Sequence, residues 1–237
     1  MNLGFSEFNY QYCYINELVS LLSVGGRRVF PYIPSLRSES KSGFDTRVKK
    51  ATGIPLFIQF KAESFNKRRG SRTIRYPSKN NFFKFELYKH QHDLLHNLSN
   101  ILGLGSVFYA APLFLEMRNL RTNYMANSIL ANSLRLDLSV MTNYNSYLPV
   151  GAKHCVCYGP GLPTQVLSES YEINVDRKDN IIEILKNKDS MNLLSLFDDI
   201  ENAFHDFSID QRKRISPLNL LIKNNIKVIY LIDDLVD

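Results

Sequence analysis

The stretch Ile54-Pro55-Leu56-Phe57-Ile58-Gln59-Phe60-Lys61 decides how this chain is read. Branched and aromatic residues crowd into it, and it reads as a buried β-strand. Its last residues break the apolar run. Gln59 and Lys61 lie two apart, so in a strand both project from one face while Phe60 packs on the other. Taken alone, that spacing also fits the wet face of a half-buried strand.

Upstream, residues 43 to 51 predict a further strand, with Thr52-Gly53 as a short hairpin-like connection into the one quoted. Before it, Ser6 is a candidate N-cap, and Phe8, Tyr12, Ile15, Leu18, Val19 and Leu22 recur at helical spacing up to Gly25-Gly26. A loop through Pro31 and Pro34 follows. Downstream, residues 82 to 88 predict a strand. Residues 90 to 102 predict a helix with Leu94, Leu95, Leu98 and Ile101 inward, and residues 107 to 114 an apolar strand. Farther on, residues 117 to 131 look helical, 134 to 141 and 154 to 158 strand-like, and 181 to 207 helical with a turn near Asp189-Ser190. Residues 218 to 235 fit helix or strand equally.

The expected fold is therefore α/β, a mixed central sheet of strands near residues 44 to 50, 54 to 61, 82 to 88 and 107 to 114 flanked by helices. A length of 237 residues suits one domain, and no internal repeat or low-complexity linker divides it. Residues 6 to 114 form its core, and residues 115 to 237 an extension packed on the same core. With 44% hydrophobic and 22% charged residues, disorder and fibrous classes are excluded. Apolar stretches such as residues 101 to 115 are interrupted before the roughly 18 residues that cross a bilayer, so no membrane partner is expected. The first residues show no basic and apolar export signal, and three cysteines, Cys13, Cys155 and Cys157, suit a reducing cytoplasm. In a strand Cys155 and Cys157 share a face; a redox or metal role is set against that of small buried hydrophobes.

Four polar residues fall where phosphodiester chemistry would use them: Glu17 on the first helix, Asp45 in Gly43-Phe44-Asp45, and Gln59 and Lys61 in the triplet, 14 residues from position 45 to position 59. The order of helix, hairpin, strand and helix around these residues resembles the PD-(D/E)xK nuclease superfamily. Here Gln stands where an acid is commoner, and no Pro precedes Asp45. The resemblance implies a restriction-endonuclease-like core over residues 6 to 114 and a divalent cation, Mg²⁺ or Mn²⁺. Hard oxygen donors suit that ion, here Asp45, the Gln59 carbonyl and Glu17, with Lys61 orienting or deprotonating an attacking water. Glu7 and Glu39 compete with Glu17 for the acidic position. Gln91, on the helix after the triplet strand, is a further residue that the family pattern brings to the site. The implied activity is cleavage of DNA or RNA, in the setting of a defence or mobile-element effector. The alternative is a non-catalytic nucleic-acid-binding or protein-assembly module on the same fold.

A net charge of +6 favours a polyanionic partner. The densest positive segment follows Lys61 directly: Lys67, Arg68, Arg69, Arg72 and Arg75 are opposed by Glu63 alone. It is a candidate phosphate-gripping loop, with Phe65 and Tyr76 able to contact sugars or bases, and otherwise a solvated one. His90, His92 and His96 include an i, i+4 pair, but Asp93 breaks the HExxH pattern and ordinary helix histidines explain them. Gly159-Pro160-Gly161 reads as a turn, and no P-loop or GxGxxG occurs. The apolar segment at residues 226 to 236 offers a protein interface or homo-oligomer contact if it is not core.

Overall fold

A computed structural model describes residues 4–23, 29–32, 52–61, 64–66, 82–141, 154–160, 162–167, 172–175, 181–188, 191–192 and 227–233. The elements in chain order are α1 (Glu7–Leu22), β1 (Val29–Tyr32), β2 (Thr52–Phe60), β3 (Ser64–Asn66), β4 (Phe82–Leu87) and α2 (Lys89–Leu102). Next come β5 (Val107–Pro112), α3 (Met117–Met125), β6 (Ser133–Asp137) and a 3-10 turn (Leu138–Val140). The last are β7 (His154–Gly159), β8 (Leu162–Leu167), β9 (Glu172–Val175), α4 (Ile181–Lys186), β10 (Met191–Asn192) and β11 (Lys227–Asp233). The protein is α/β, with a mixed sheet flanked by helices.

The mixed sheet runs β1-β11-β2-β5-β6, with β10 pairing on β2, and its one parallel pair is β2 with β5. A parallel pair needs a long crossover, and the segment carrying α2 supplies it. Odd-numbered residues of β2 turn their backbone groups to β5: Phe57 N–H donates to Ser106 C=O at 2.8 Å and Lys61 N–H to Ala110 C=O at 3.0 Å. Pro55, which lacks an N–H, therefore sits before the first β5 partner, where no ladder bond is required of it. On the even side, Ile54, Leu56, Ile58 and Phe60 join Phe108 and Ala110 of β5 in one core with Tyr10, Tyr14, Leu18 and Leu22 of α1. Burying such side chains contributes on the order of 1.5–3 kcal/mol each, so this contact anchors the helix.

Several expectations are corrected here. In α1 the buried stripe is Tyr10, Tyr14, Leu18 and Leu22, while Phe8 and Tyr12 are 73% and 57% exposed. The two tyrosine rings pack edge-on against Phe60 at 5.7 and 5.5 Å between centroids. In α2, Ile101 faces solvent and Leu102 is buried. Thr52 and Gly53 are no hairpin; they pair with Asn192 and Met191 as part of β2. The strand expected near residues 44 to 50 lies outside the described residues.

β4 does not belong to the mixed sheet. It pairs antiparallel with β7 in a second, wholly antiparallel sheet of order β3-β4-β7-β8-β9. Its alternation, with Phe83, Phe85 and Leu87 on one face, is equally satisfied there, because period-two patterning fixes a face and leaves the partner strand open. That face meets the mixed sheet through the Phe85 and Tyr109 rings at 5.7 Å and a hydrogen bond from the Tyr158 hydroxyl to Pro112 C=O at 3.1 Å. The helix expected over residues 117 to 131 ends at Met125, and the strand over 134 to 141 becomes β6 and the 3-10 turn. Of residues 181 to 207, positions 181–186 are helical and 191–192 a strand.

Of the segment 218 to 235, the described residues 227–233 are the strand β11, inserted between β1 and β2. Ile229 is fully buried. β11 is thus part of the sheet and not a spare interface, and the sheet carrying the triplet draws strands from both halves of the chain. No helix among the described residues is long and apolar enough to cross a membrane.

Candidate functional site

Gln59 and Lys61 emerge from the end of β2 onto the face opposite α1, and both are buried. α2 packs over that face, and its first turn carries Gln91 into contact with both. Lys61 Nζ donates to Gln91 Oε1 at 2.7 Å, Gln91 Nε2 donates to Gln59 Oε1 at 2.8 Å, and Gln59 Nε2 donates to Phe60 C=O at 3.0 Å. The direction of this relay follows from its ends. An ammonium can only donate and a backbone carbonyl can only accept, so each amide between them has one consistent orientation.

Lys61 Nζ also stands 5.4 Å from the ring centroids of both Tyr88 and Tyr109. Such placement over aromatic rings stabilises the cation only partly against the loss of water. Burial pulls the Lys61 amine down to about 8, and the Glu7 carboxylate opposes that shift. Glu7 opens α1 and accepts from Gln11 Nε2 at 2.8 Å. Tyr109 continues the polar seam: its hydroxyl lies 3.0 Å from His92 Nδ1, and the two rings stack at 6.1 Å. Burial first, then the neighbouring His96, Lys89, His154 and Lys61, lower His92 to about 3, so it is neutral at ordinary pH. Burial also lowers His96 and His154.

Of the sequence candidates, the structure brings Gln59, Lys61 and Gln91 together. Glu17 is placed elsewhere. Its buried carboxylate accepts from Ile129 N–H at 2.6 Å and Leu130 N–H at 3.4 Å. Those groups open a helical turn in which Asn132 N–H reaches Ser128 C=O at 3.1 Å and Ser133 N–H reaches Leu130 C=O at 3.3 Å. Glu17 thus caps that turn, where an anion is favoured. Among the described residues, the acid whose charge reaches Lys61 is Glu7. Asp45, Lys67, Arg68, Arg69, Arg72 and Arg75 lie outside the described residues.

The donor set around Lys61 does not by itself fit a Mg²⁺ shell. The Gln59 and Gln91 side-chain carbonyls each accept a protein donor, an ammonium stands beside them, and the described residues hold no group of three or more His, Cys, Asp or Glu suited to a metal. Sequence reasoning missed Tyr88 and Tyr109. Tyr109 was visible as the sole hydroxyl in the buried run Val107–Pro112, and its register opposite Gln59 carries it to the site. No protein family, curated protein or solved structure matches this chain.

Proposed function

We propose that this protein is a nuclease of the PD-(D/E)xK kind, acting on DNA or RNA phosphodiesters through a restriction-endonuclease-like core in which Gln59, Lys61 and Gln91 form the centre of the site. The observation that carries the reading is the buried Lys61–Gln91–Gln59 relay at the end of a central strand of a mixed sheet. A lysine amine drawn down to about 8 has a share of neutral form near neutral pH, so Nζ can take a proton from water, and in its charged form can face a phosphate oxygen. Gln91 holds Nζ in place, and Gln59 holds Gln91.

A divalent cation, Mg²⁺ or Mn²⁺, belongs to this reading and would supply charge at the scissile phosphate; its carboxylate ligand would come from Asp45. Glu7 joins Glu17 as the acid to test on α1. Lys67, Arg68, Arg69, Arg72 and Arg75 complete the reading as phosphate contacts, since their segment follows Lys61 with only the short strand β3 between. A defence-effector setting rests on the family resemblance alone.

Cleavage of plasmid, linear duplex, single-stranded DNA and RNA with Mg²⁺ or Mn²⁺ tests the proposal. Wild type should cut, and Lys61→Met and Asp45→Ala should not while keeping their folded circular dichroism. Equal cutting by both variants defeats it. The alternative, a binding or assembly module on the same fold, is favoured by one observation: the two amide carbonyls are already satisfied within the relay. Salt-dependent binding without any cleavage would select it. In either case replacing Lys67, Arg68 and Arg69 by alanine should lower the slope of log affinity against log salt by roughly 0.7 to 0.9 for each phosphate no longer neutralised.

A further inference from the structure

Away from the relay, Cys155 and Cys157 project from the opposite face of β7 to His154, Val156 and Tyr158. Both thiols are buried, Cys155 at 8% and Cys157 at 0% exposure, and they cluster with Phe82 and Leu162. Each thiol is shifted first by the other, Cys155 down and Cys157 up. Across the ladder, Lys84 of β4 lies opposite Cys157 and Glu86 opposite Cys155; on the other side stand Gln165 and Leu167 of β8. Lys84 is half-buried and favours thiolate, whereas Glu86 is exposed to solvent and acts against it through water.

Two thiols buried in one cluster on one face of a strand can be joined directly or through an ion. Two residues of strand separate Cα atoms by roughly 6.4 to 6.8 Å, at the far edge of the roughly 4.4 to 6.8 Å that a disulfide accepts. An ion between the sulfurs tolerates a longer separation than a direct bond does. Thiolates select soft cations, and two of them with no third ligand suit a linear two-coordinate ion in preference to tetrahedral Zn²⁺. The described residues hold no group of three or more His, Cys, Asp or Glu around such an ion.

We propose that Cys155 and Cys157 form a two-thiolate site for a soft monovalent cation of the Cu⁺ class. Binding replaces the two thiol protons, which leave to solvent, and forms two metal–sulfur bonds with no change of oxidation state. The product carries one negative charge, and the Lys84 ammonium opposite Cys157 neutralises it. Phe82 and Leu162 keep water from the ion. The site is independent of the proposed nuclease centre.

The test is anaerobic titration of the reduced full chain with Cu⁺ in competition with a chromophoric Cu⁺ chelator, followed by sulfur-ligand counting with X-ray absorption. Wild type and Cys13→Ser should withdraw one equivalent and show two sulfur neighbours; Cys155→Ala should withdraw none. Lys84→Met leaves both thiols in place and should weaken binding by roughly tenfold or more, with Lys84→Arg restoring it. Zn²⁺ should fail to compete. The proposal is overturned if Cys155→Ala keeps its equivalent, if Cys13→Ser loses it, if wild type withdraws none, or if Zn²⁺ binds as tightly as Cu⁺.

Discussion

Replacing Lys61 by Met keeps the length of the side chain in its buried slot and removes the amine. The unfolded amine titrates near 10.5 and the folded one near 8, so between those values the unfolded chain binds more protons. Wild-type stability therefore rises with pH through that window, and the charged form is a burden below it. The full difference corresponds to about 3 kcal/mol, of which about 2 kcal/mol is recovered between about pH 7 and about pH 9.5. Met has nothing to titrate. Removing the donor to the buried Gln91 carbonyl adds a cost of about 1–3 kcal/mol that does not vary with pH. Urea denaturation of both proteins across this range isolates Lys61, because every other titrating group cancels in the difference. The gap between Lys61→Met and wild type should shift against the variant by about 2 kcal/mol as pH rises to about 9.5. A gap that stays level would show that the amine is hydrated, and the relay would then be no buried site.

Acid should act through His92: its folded value of about 3 lies below the ordinary 6.5, so stability is lost as pH falls, by about 2 kcal/mol at about pH 5, and His92→Phe should flatten that limb in denaturation curves. Glu17→Ala should cost about 1–3 kcal/mol by orphaning the Ile129 and Leu130 N–H groups, with Glu17→Gln costing less; full stability in Glu17→Ala combined with lost cleavage would instead return Glu17 to the catalytic site. Gly105 has φ +79° and a Cβ there would collide with Ile184 Cγ2, so Gly105→Ala should destabilise by about 1–3 kcal/mol in thermal melts, and an unchanged melting temperature would refute the clash.

Helix α1, strands β2, β4, β5 and β7, and helix α2 were legible because each carries its own local signal. Gln59 and Lys61 could be paired on one face from the strand period alone, and Gln91 was suggested by the family pattern. The rotation of α1 was not legible. Both Phe8-Tyr12 and Tyr10-Tyr14 lie on helical spacing, and only the fit of the tyrosine rings against Phe60 selects between them. That rotation also decides which acid faces Lys61. The same turn of the helix commits Glu17 to the backbone of residues 129 and 130.

By itself the sequence determined the class of each strong element, the side of β2 on which Gln59 and Lys61 stand, and a charge that favours anions. These follow from backbone geometry and composition, which need no knowledge of distant residues. Tertiary structure alone decided that β4 joins β7 in a second sheet, that β11 enters between β1 and β2, and that burial lowers the Lys61 amine. Those outcomes depend on which strand wins an open edge and how much water a neighbour excludes. Both are energies of contact between segments far apart in the chain, and no local pattern records them.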